Sequence, residues 1–277
     1  MNIEFFSLKS EYNVLIAKAS LLEISKTENF VSNGATLPDG FVEIYFSKHD
    51  PISIKMNERN LSTYSNSAFV IGQSTSKIEF KPKGEQKLIS LKIQPWATSM
   101  FLPDKADLYK DKAIAIDDLV SPKLSLLQRM VVNSSTKEEA FKHIEDFLIQ
   151  SQKTSSKFSK LIYFAVNYIF QNHIGFSVKK LTNLLNVSRQ YLERQFVAQI
   201  GISPKQFARV IRIRSLTNHF KSNPNISLTE LSYKFGYFDQ SHFIRDFQLI
   251  AATSPKKFLS SNNFMSSNYQ YDNSLNL

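Results

Sequence analysis

"LTNLLNVSRQYLERQF", Leu181 to Phe196, returns further along the chain as "LSYKFGYFDQSHFIRDF", Leu231 to Phe247. Laid over each other, the two stretches pair Leu181 with Leu231, Leu185 with Phe235, Leu192 with Phe243 and Phe196 with Phe247. The match continues into Ser203-Pro204 and Ser254-Pro255, at offsets of 50 and then 51 residues. One residue is inserted at the turn. Each copy opens with a helix, capped by Ser177 in the first and by Ser227 with Glu230 in the second, and ends on a residue that tolerates left-handed geometry, Asn186 or Gly236. A tight turn follows, then a second helix capped by Ser188 or Asp239. A single such pair is either a helix-turn-helix or a plain αα-hairpin. Two in register favour the helix-turn-helix.

The second helix of each copy has an apolar face at helical spacing, Leu192 and Phe196 in the first and Phe243, Phe247 and Ile250 in the second. The other face offers Gln190, Glu193, Arg194 and Val197, and in the second copy Ser241, His242, Arg245 and Gln248. Arginine suits guanine, glutamine suits adenine and glutamate suits the cytosine amine, while serine or histidine makes single bonds. These faces are therefore expected to read DNA bases. His242 as a general base is the poorer reading, because no nucleophile is implied beside it. Between the copies, "SPKQFARVIRIRSLTNHF" reads as one long helix. Its apolar positions Phe207, Val210, Ile211, Ile213, Leu216 and Phe220 exceed a narrow stripe, so substantial burial is expected. Arg209, Arg212 and Arg214 are expected to reach phosphates from it.

Charge points the same way. Residues 1–154 hold 19 Lys+Arg and 19 Asp+Glu, whereas residues 155–260 hold 15 and 4. The positive excess is confined to the repeat region, as in a binder of phosphate backbones. The chain has no cysteine, which excludes disulfides, thiolate metal sites and thiol nucleophiles. Its start, "MNIEFFSLKSE", lacks the pattern of a secretion signal. The longest apolar run, Leu161 to Phe170, is about half the length that spans a bilayer. A cytoplasmic protein with no membrane partner is expected.

Residues 1 to about 120 read as strands: "FVEIYFS", "SAFVIGQ", "KIEFK" and "KLISLKI" are short, β-branched or aromatic, and several alternate with period two. "LPDG" and "KPKG" supply turns. The segment "SSTKEEAFKHIEDFLIQ" is an amphipathic helix with a capping box of Ser135 and Glu138. Its stripe of Phe141, Ile144 and Leu148 either packs on the sheet or pairs with a second copy. Residues 151–160 have the composition of a linker and residues 260–277 that of a frayed tail.

At "LTNLLNVSRQYLERQF", "GISPKQF", "RIRSLTNHF", "LSYKFGYFDQSHFIRDF" and "SPKKF" the chain resembles the AraC/XylS family of bacterial transcription regulators, over roughly residues 161–259. The resemblance implies a double helix-turn-helix DNA-binding domain joined to a separate regulatory domain. Carried over by position, it adds Asp239 and Gln240 to the DNA-facing residues; Ser188 and Arg189, which open the first reading helix, are counted with them. Thr182 and Ser232 stand where small alanines usually pack. Ala252 replaces a glycine before the last Ser-Pro, at a cost of about 1 kcal/mol in a left-handed cap, which gives the second unit reason to end differently.

The amino-terminal half, residues 1–150, resembles cupin-like sensor domains through "LPDGFVEIYF", "FVIGQSTSKIEFKPKGEQKLISLKIQP" and "AIAIDDL". Its strand region holds only His49, too little for a cupin metal centre; no cofactor is expected. Phe41, Tyr45, Phe69 and Trp96 are candidate pocket residues, or else simply core. The fold class expected is α+β: a β-rich, cupin-like barrel or sandwich followed by an all-α domain of two helix-turn-helix units joined by a long helix. The function expected is a regulator that binds double-stranded DNA and not an enzyme, with a small-molecule effector, a homodimer and RNA polymerase as further partners. The alternative is a cupin-like binding protein or enzyme with a helical scaffold.

Overall fold

Period-two alternation decides what each strand of the amino-terminal half faces. In the computed structural model, which describes residues 2–25, 34–56, 60–154 and 158–259, ten strands form two antiparallel sheets. They are β1 (Asn2–Phe6), β2 (Ile16–Ile24), β3 (Gly34–Thr36), β4 (Val42–His49), β5 (Ile52–Met56), β6 (Asn60–Tyr64), β7 (Ser67–Ile71), β8 (Ile78–Pro82), β9 (Gln86–Ile93) and β10 (Ala113–Ala115). The larger sheet runs β1-β2-β9-β4-β7-β10 and the smaller β3-β8-β5-β6.

The inner strands of the larger sheet are buried on both faces. Tyr45, Phe69, Ile71 and Leu88 join Ile52, Ile54, Met56 and Phe80 of the smaller sheet in one core. Their neighbours Ile44, Phe46, Val70 and Leu91 point the other way, into a second core that runs on through the helices. "FVEIYFS" is thus hydrophobic at successive positions because both of its sides are covered.

After a short turn of helix, α1 (Thr98–Phe101), the helix α2 (Pro122–Asn133) lies on the outer face of this sheet. Gln128 fixes it there, accepting from the Ala68 amide at 3.0 Å and donating to Asp117 at 2.8 Å. Helix α3 (Lys137–Thr154) packs on α2. Phe141, Ile144 and Leu148 are all buried, and the Phe141 ring stacks on Phe6 of β1 at 3.5 Å. The stripe is therefore used within the chain and is not left for a second copy. Its cap sits one residue later than the sequence suggests. The Thr136 hydroxyl accepts from the Glu139 amide, and Glu139 in turn accepts from the Ser135 amide, because the helix begins at Lys137.

Seven helices follow among the described residues: α4 (Lys160–Asn172), α5 (Val178–Leu185), α6 (Arg189–Ile200), α7 (Pro204–Ser222), α8 (Leu228–Lys234), α9 (Gln240–Ala251) and α10 (Pro255–Leu259). Of residues 151–160, read as a linker, the central 155–157 lie outside the described residues. Helix α3 continues to Thr154 and α4 starts at Lys160, capped by Ser159. The tail assigned to residues 260–277 lies outside the described residues. Helix α4 joins the halves: Tyr163 meets the Trp96 ring edge-on at 4.9 Å, and Phe170 lies between Phe41 at 6.2 Å and Phe207 of α7 at 5.7 Å.

Candidate nucleic-acid interface

Local capping builds both reading helices. Helix α5 stops at Asn186, which takes the left-handed conformation at φ 51°. Helix α6 then starts from Ser188, whose hydroxyl accepts from the Tyr191 amide at 3.2 Å. In the second copy Gly236 turns the chain at φ 72°, and the Asp239 carboxylate accepts from the His242 amide at 2.6 Å to open α9. The two copies also end alike. The amide of Gly201 donates to Val197 and that of Ala252 to Gln248, both at 2.9 Å, and Ala252 adopts φ 49°. The expectation that Ala252 makes the second unit end differently is therefore overturned: the helix-ending hydrogen bond outweighs the strain of a Cβ in the left-handed region. Thr182 and Ser232 fit the alanine-sized spaces by turning their hydroxyls back onto the carbonyls of Lys179 and Thr229.

Each reading helix buries one face and leaves the other in solvent. Leu192, Phe196 and Ile200 of α6, and Phe243, Phe247 and Ile250 of α9, are buried. Arg189, Gln190 and Arg194 are exposed on α6, and Gln240, Ser241, His242 and Arg245 on α9. Glu193 is half-buried and pairs with Arg189 at 3.0 Å. Arg194 lies over the Tyr191 ring at 5.6 Å. Under the 51-residue offset Arg194 and Arg245 are equivalent positions, so one arginine stands at the same place on both helices. Ser188 and Asp239 hold the helix caps, which occupies one oxygen of each. Exposed Lys179, Lys180, Lys205, Lys234 and Lys256 add to the basic surface of this half, and none of them was singled out from the sequence.

The connecting helix departs from its sequence reading. Arg209 and Arg212 both turn toward Asp246 of α9, at 3.0 and 3.4 Å, and Arg212 also lies over the Tyr237 ring at 4.5 Å. Tyr237 is buried, its hydroxyl within 3.4 Å of the Asp246 carboxylate, and burial pushes its pKa well above the usual phenol value. Arg214 donates to the Asp39 carbonyl at 3.2 Å. In the free protein the three guanidinium groups thus make contacts inside the protein, with the Arg209 side chain still one-third exposed. The signal was present in Asp246, an acid on the apolar face of α9: a buried carboxylate requires a cation or hydrogen-bond donors.

The amino-terminal half touches the carboxy-terminal ends of both reading helices. The Ala106 carbonyl lies so close to Gly201 that a Cβ there would sit 2.8 Å from it. The Lys77 amide donates to the Ile250 carbonyl at 2.7 Å, in the last turn of α9. The polar faces of α6 and α9 stay exposed.

A cavity between the sheets lies behind these contacts. Leu22, Ile52, Ile71, Ile78, Phe80 and Leu88 make it apolar, and Asp39, Glu43 and Lys92 give it one charged end. Buried Lys92 meets Asp39 at 2.5 Å and Glu43 at 2.9 Å, and the Tyr45 hydroxyl donates to Glu43. Of the four pocket candidates, Phe41 and Tyr45 line this cavity. Phe69 instead stacks between Tyr45 at 5.2 Å and Tyr64 at 4.1 Å, as core. Trp96 is on the other side of the sheet, its indole N–H donating to Val14 at 2.7 Å. It follows the end of β9, in the turn Pro95–Ala97.

Two antiparallel sheets joined to a paired helix-turn-helix define a two-part α+β protein whose helical half has the form of a DNA reader. Residues 181–261 match the family described as a helix-turn-helix domain, and residues 16–115 match a domain of unknown function (DUF6597). The helical half is a helix-turn-helix domain of the AraC type. The chain is 28% identical over 117 residues to the Msm operon regulatory protein of Streptococcus mutans, covering 42% of each. It is 29% identical over 82 residues to the HTH-type transcriptional regulator MtrA of Neisseria gonorrhoeae, covering 30% of this chain and 27% of that one. The matched stretch thus spans less than half the length of either relative. A looser likeness, 12% identical with a TM-score of 0.48, covers 87% of this chain and 97% of ToxT from Vibrio cholerae.

Proposed function

We propose that this chain is a sequence-specific, DNA-binding transcriptional regulator. Helices α6 and α9 enter successive major grooves of one duplex, with Gln190, Glu193, Arg194, Ser241, His242 and Arg245 at the bases. Exposed lysines contact the phosphates in place of Arg209 and Arg212. The observation that carries this reading is the pair of equivalent exposed faces, each centred on an arginine, in the strongly basic part of the chain. The two curated relatives, both named as regulators, support it.

The β-rich half, residues 1–150, is the regulatory domain in this reading. Its cavity, apolar with a single charged end, has the make-up of a small-molecule site. Asp39 of the cavity wall meets α7, and Lys77, the neighbour of the lining residue Ile78, meets α9, so an effector has a mechanical route to the reader. A cytoplasmic location fits, since no helix of the described residues is long and apolar enough to cross a membrane. A second copy bound at an adjacent site, and RNA polymerase where the effect is activation, are the remaining partners of the proposal.

The test is selection of duplexes from a random pool by the full chain at low salt, followed by titration of the enriched duplex at rising salt. One enriched sequence, bound with an affinity that falls steeply with salt, is the expected result. Enrichment of nothing, or equal binding of all duplexes, rejects the proposal.

A further inference from the structure

Phe238 is 87% exposed, at the turn that leads into α9. A hydrophobic residue just before a helix cap ordinarily folds back onto the fourth residue of the helix as a staple. The first copy has the elements of that arrangement: Val187 is half-buried ahead of Ser188, and Leu192 is buried four residues into α6. In the second copy Phe238 precedes the cap Asp239, and the corresponding residue of α9, Phe243, is fully buried. The space above Phe243 is already taken. Tyr237 is buried there, with its ring 5.4 Å from Phe243 and 5.3 Å from His242.

The backbone on either side of Phe238 is fixed. The Tyr237 amide donates to the Ser232 carbonyl at 3.0 Å, and Asp239 caps α9 through the His242 amide. Withdrawing the phenyl ring from solvent would mean evicting Tyr237 or breaking the cap. The ring is therefore held out at the amino-terminal lip of α9, the first turn of which also exposes Ser241 and His242. That end of the second helix is the part of a helix-turn-helix that meets base edges.

Resting on the DNA-reading function proposed above, we infer that Phe238 is a further specificity-determining residue, whose ring packs on the 5-methyl group of a thymine in the major groove. Thymine is the base that offers an apolar group there, and phenylalanine is a side chain able to contact it. The ring has no hydrogen-bonding atom, so it selects by that methyl alone.

The experiment uses the full chain and the duplex enriched in the selection. Each thymine is replaced in turn by uracil, which removes the methyl and leaves every hydrogen-bonding atom in place. The expected result is one thymine, in the half of the site read by α9, whose replacement weakens wild-type binding about fourfold, the size of one buried methyl group. Phe238→Ala should bind the thymine and uracil duplexes equally, and Phe238→Leu should restore part of the difference. Far-ultraviolet circular dichroism of both variants checks that the fold is kept. A uracil scan identical in wild type and Phe238→Ala overturns the inference. So does a uniform loss of affinity at every position, which is the signature of a sugar-phosphate contact. If the wild-type chain enriches no duplex, the DNA-reading function itself fails and this role of Phe238 falls with it.

Discussion

The guanidinium of Arg214, on the helix that joins the two reading units, donates to the main-chain carbonyl of Asp39 at 3.2 Å. The carboxylate of the same aspartate holds buried Lys92 at the charged end of the cavity. Gly40, the next residue, sits against Phe207 and Ile211 of α7, and its carbonyl accepts from Gln73 at 2.6 Å. The segment around Asp39 is thus both a wall of the cavity and a seat for α7. Ser74, close to Gln73, also lines the cavity, and the following turn ends at Lys77, whose amide reaches α9. The cavity rim and the supports of the second reading unit are the same pieces of chain.

Lys92→Met tests how strongly this cluster is built. Removing the ammonium leaves Asp39 and Glu43 as buried carboxylates facing each other without their shared cation. Breaking a buried ion pair from one side costs about 3–5 kcal/mol, so a large fall in the urea midpoint is expected. Replacing Asp39, Glu43 and Lys92 together with Asn, Gln and Met should recover much of that loss. A Lys92→Met protein as stable as wild type would show that water reaches the cluster and screens it.

Ala252 and Gly201 make a matched pair of tests, because both end a reading helix in the left-handed conformation. Relief of strain at Ala252→Gly is about 1–2 kcal/mol, and the added freedom of the unfolded chain offsets about 0.4–1 kcal/mol of it. A net gain of about 0.5–1 kcal/mol is expected. Gly201→Ala should lose more than the strain alone, since its Cβ would also press on the Ala106 carbonyl. Thermal melts of the two variants should move in opposite directions.

Features set by residues a few positions apart are legible in the sequence, and those set by distant partners are not. The paired helix-turn-helix, its caps at Ser188 and Asp239 and its turn at Asn186 were legible because they depend on residues a few positions apart. The exposed positions Gln190, Arg194, Ser241, His242 and Arg245 followed from helical period alone. The inward turn of Arg209, Arg212 and Arg214 was not legible, because their partners Asp246 and Asp39 come from elsewhere in the chain. Trp96 took the core alternative given for it, and which of the two it would take was not legible: which side of a sheet a residue after its last strand falls on depends on the register of that sheet. The left-handed Ala252 goes against local preference and is set by the turn that must follow α9.

His173, at the end of α4, gives a pH signature. Burial lowers its pKa; the carbonyl of Phe170, 2.8 Å from its Nδ1, opposes that, and the charges of Arg212 and Arg214 nearby add smaller downward pushes. The unfolded chain therefore takes up a proton at a higher pH than the folded one, near the ordinary histidine value of about 6.5. Stability should be unaffected by this group at neutral pH and should fall as pH drops below about 6.5, until the folded-state value is reached. Denaturant melts between pH 7.5 and 5 should show this decline, and His173→Gln should flatten it. An equal slope in both proteins would assign the decline to other groups.

The last prediction separates cations that face DNA from those that hold the protein together. If exposed lysines contact phosphate, replacing one removes about one released counterion, and the slope of log affinity against log salt falls by about one unit. Lys205→Ala should do this, since the residue is exposed just after the cap of α7. Arg209→Gln should not, because its guanidinium is paired with Asp246 at 3.0 Å in the free protein and has little reason to leave a buried carboxylate for a phosphate. Its loss should appear as reduced stability with an unchanged salt slope. Arg245→Ala should differ from both, costing about 1–3 kcal/mol of binding and relaxing preference at one base pair. A salt slope that drops equally for Lys205→Ala and Arg209→Gln would mean that the pairing with Asp246 opens when DNA binds.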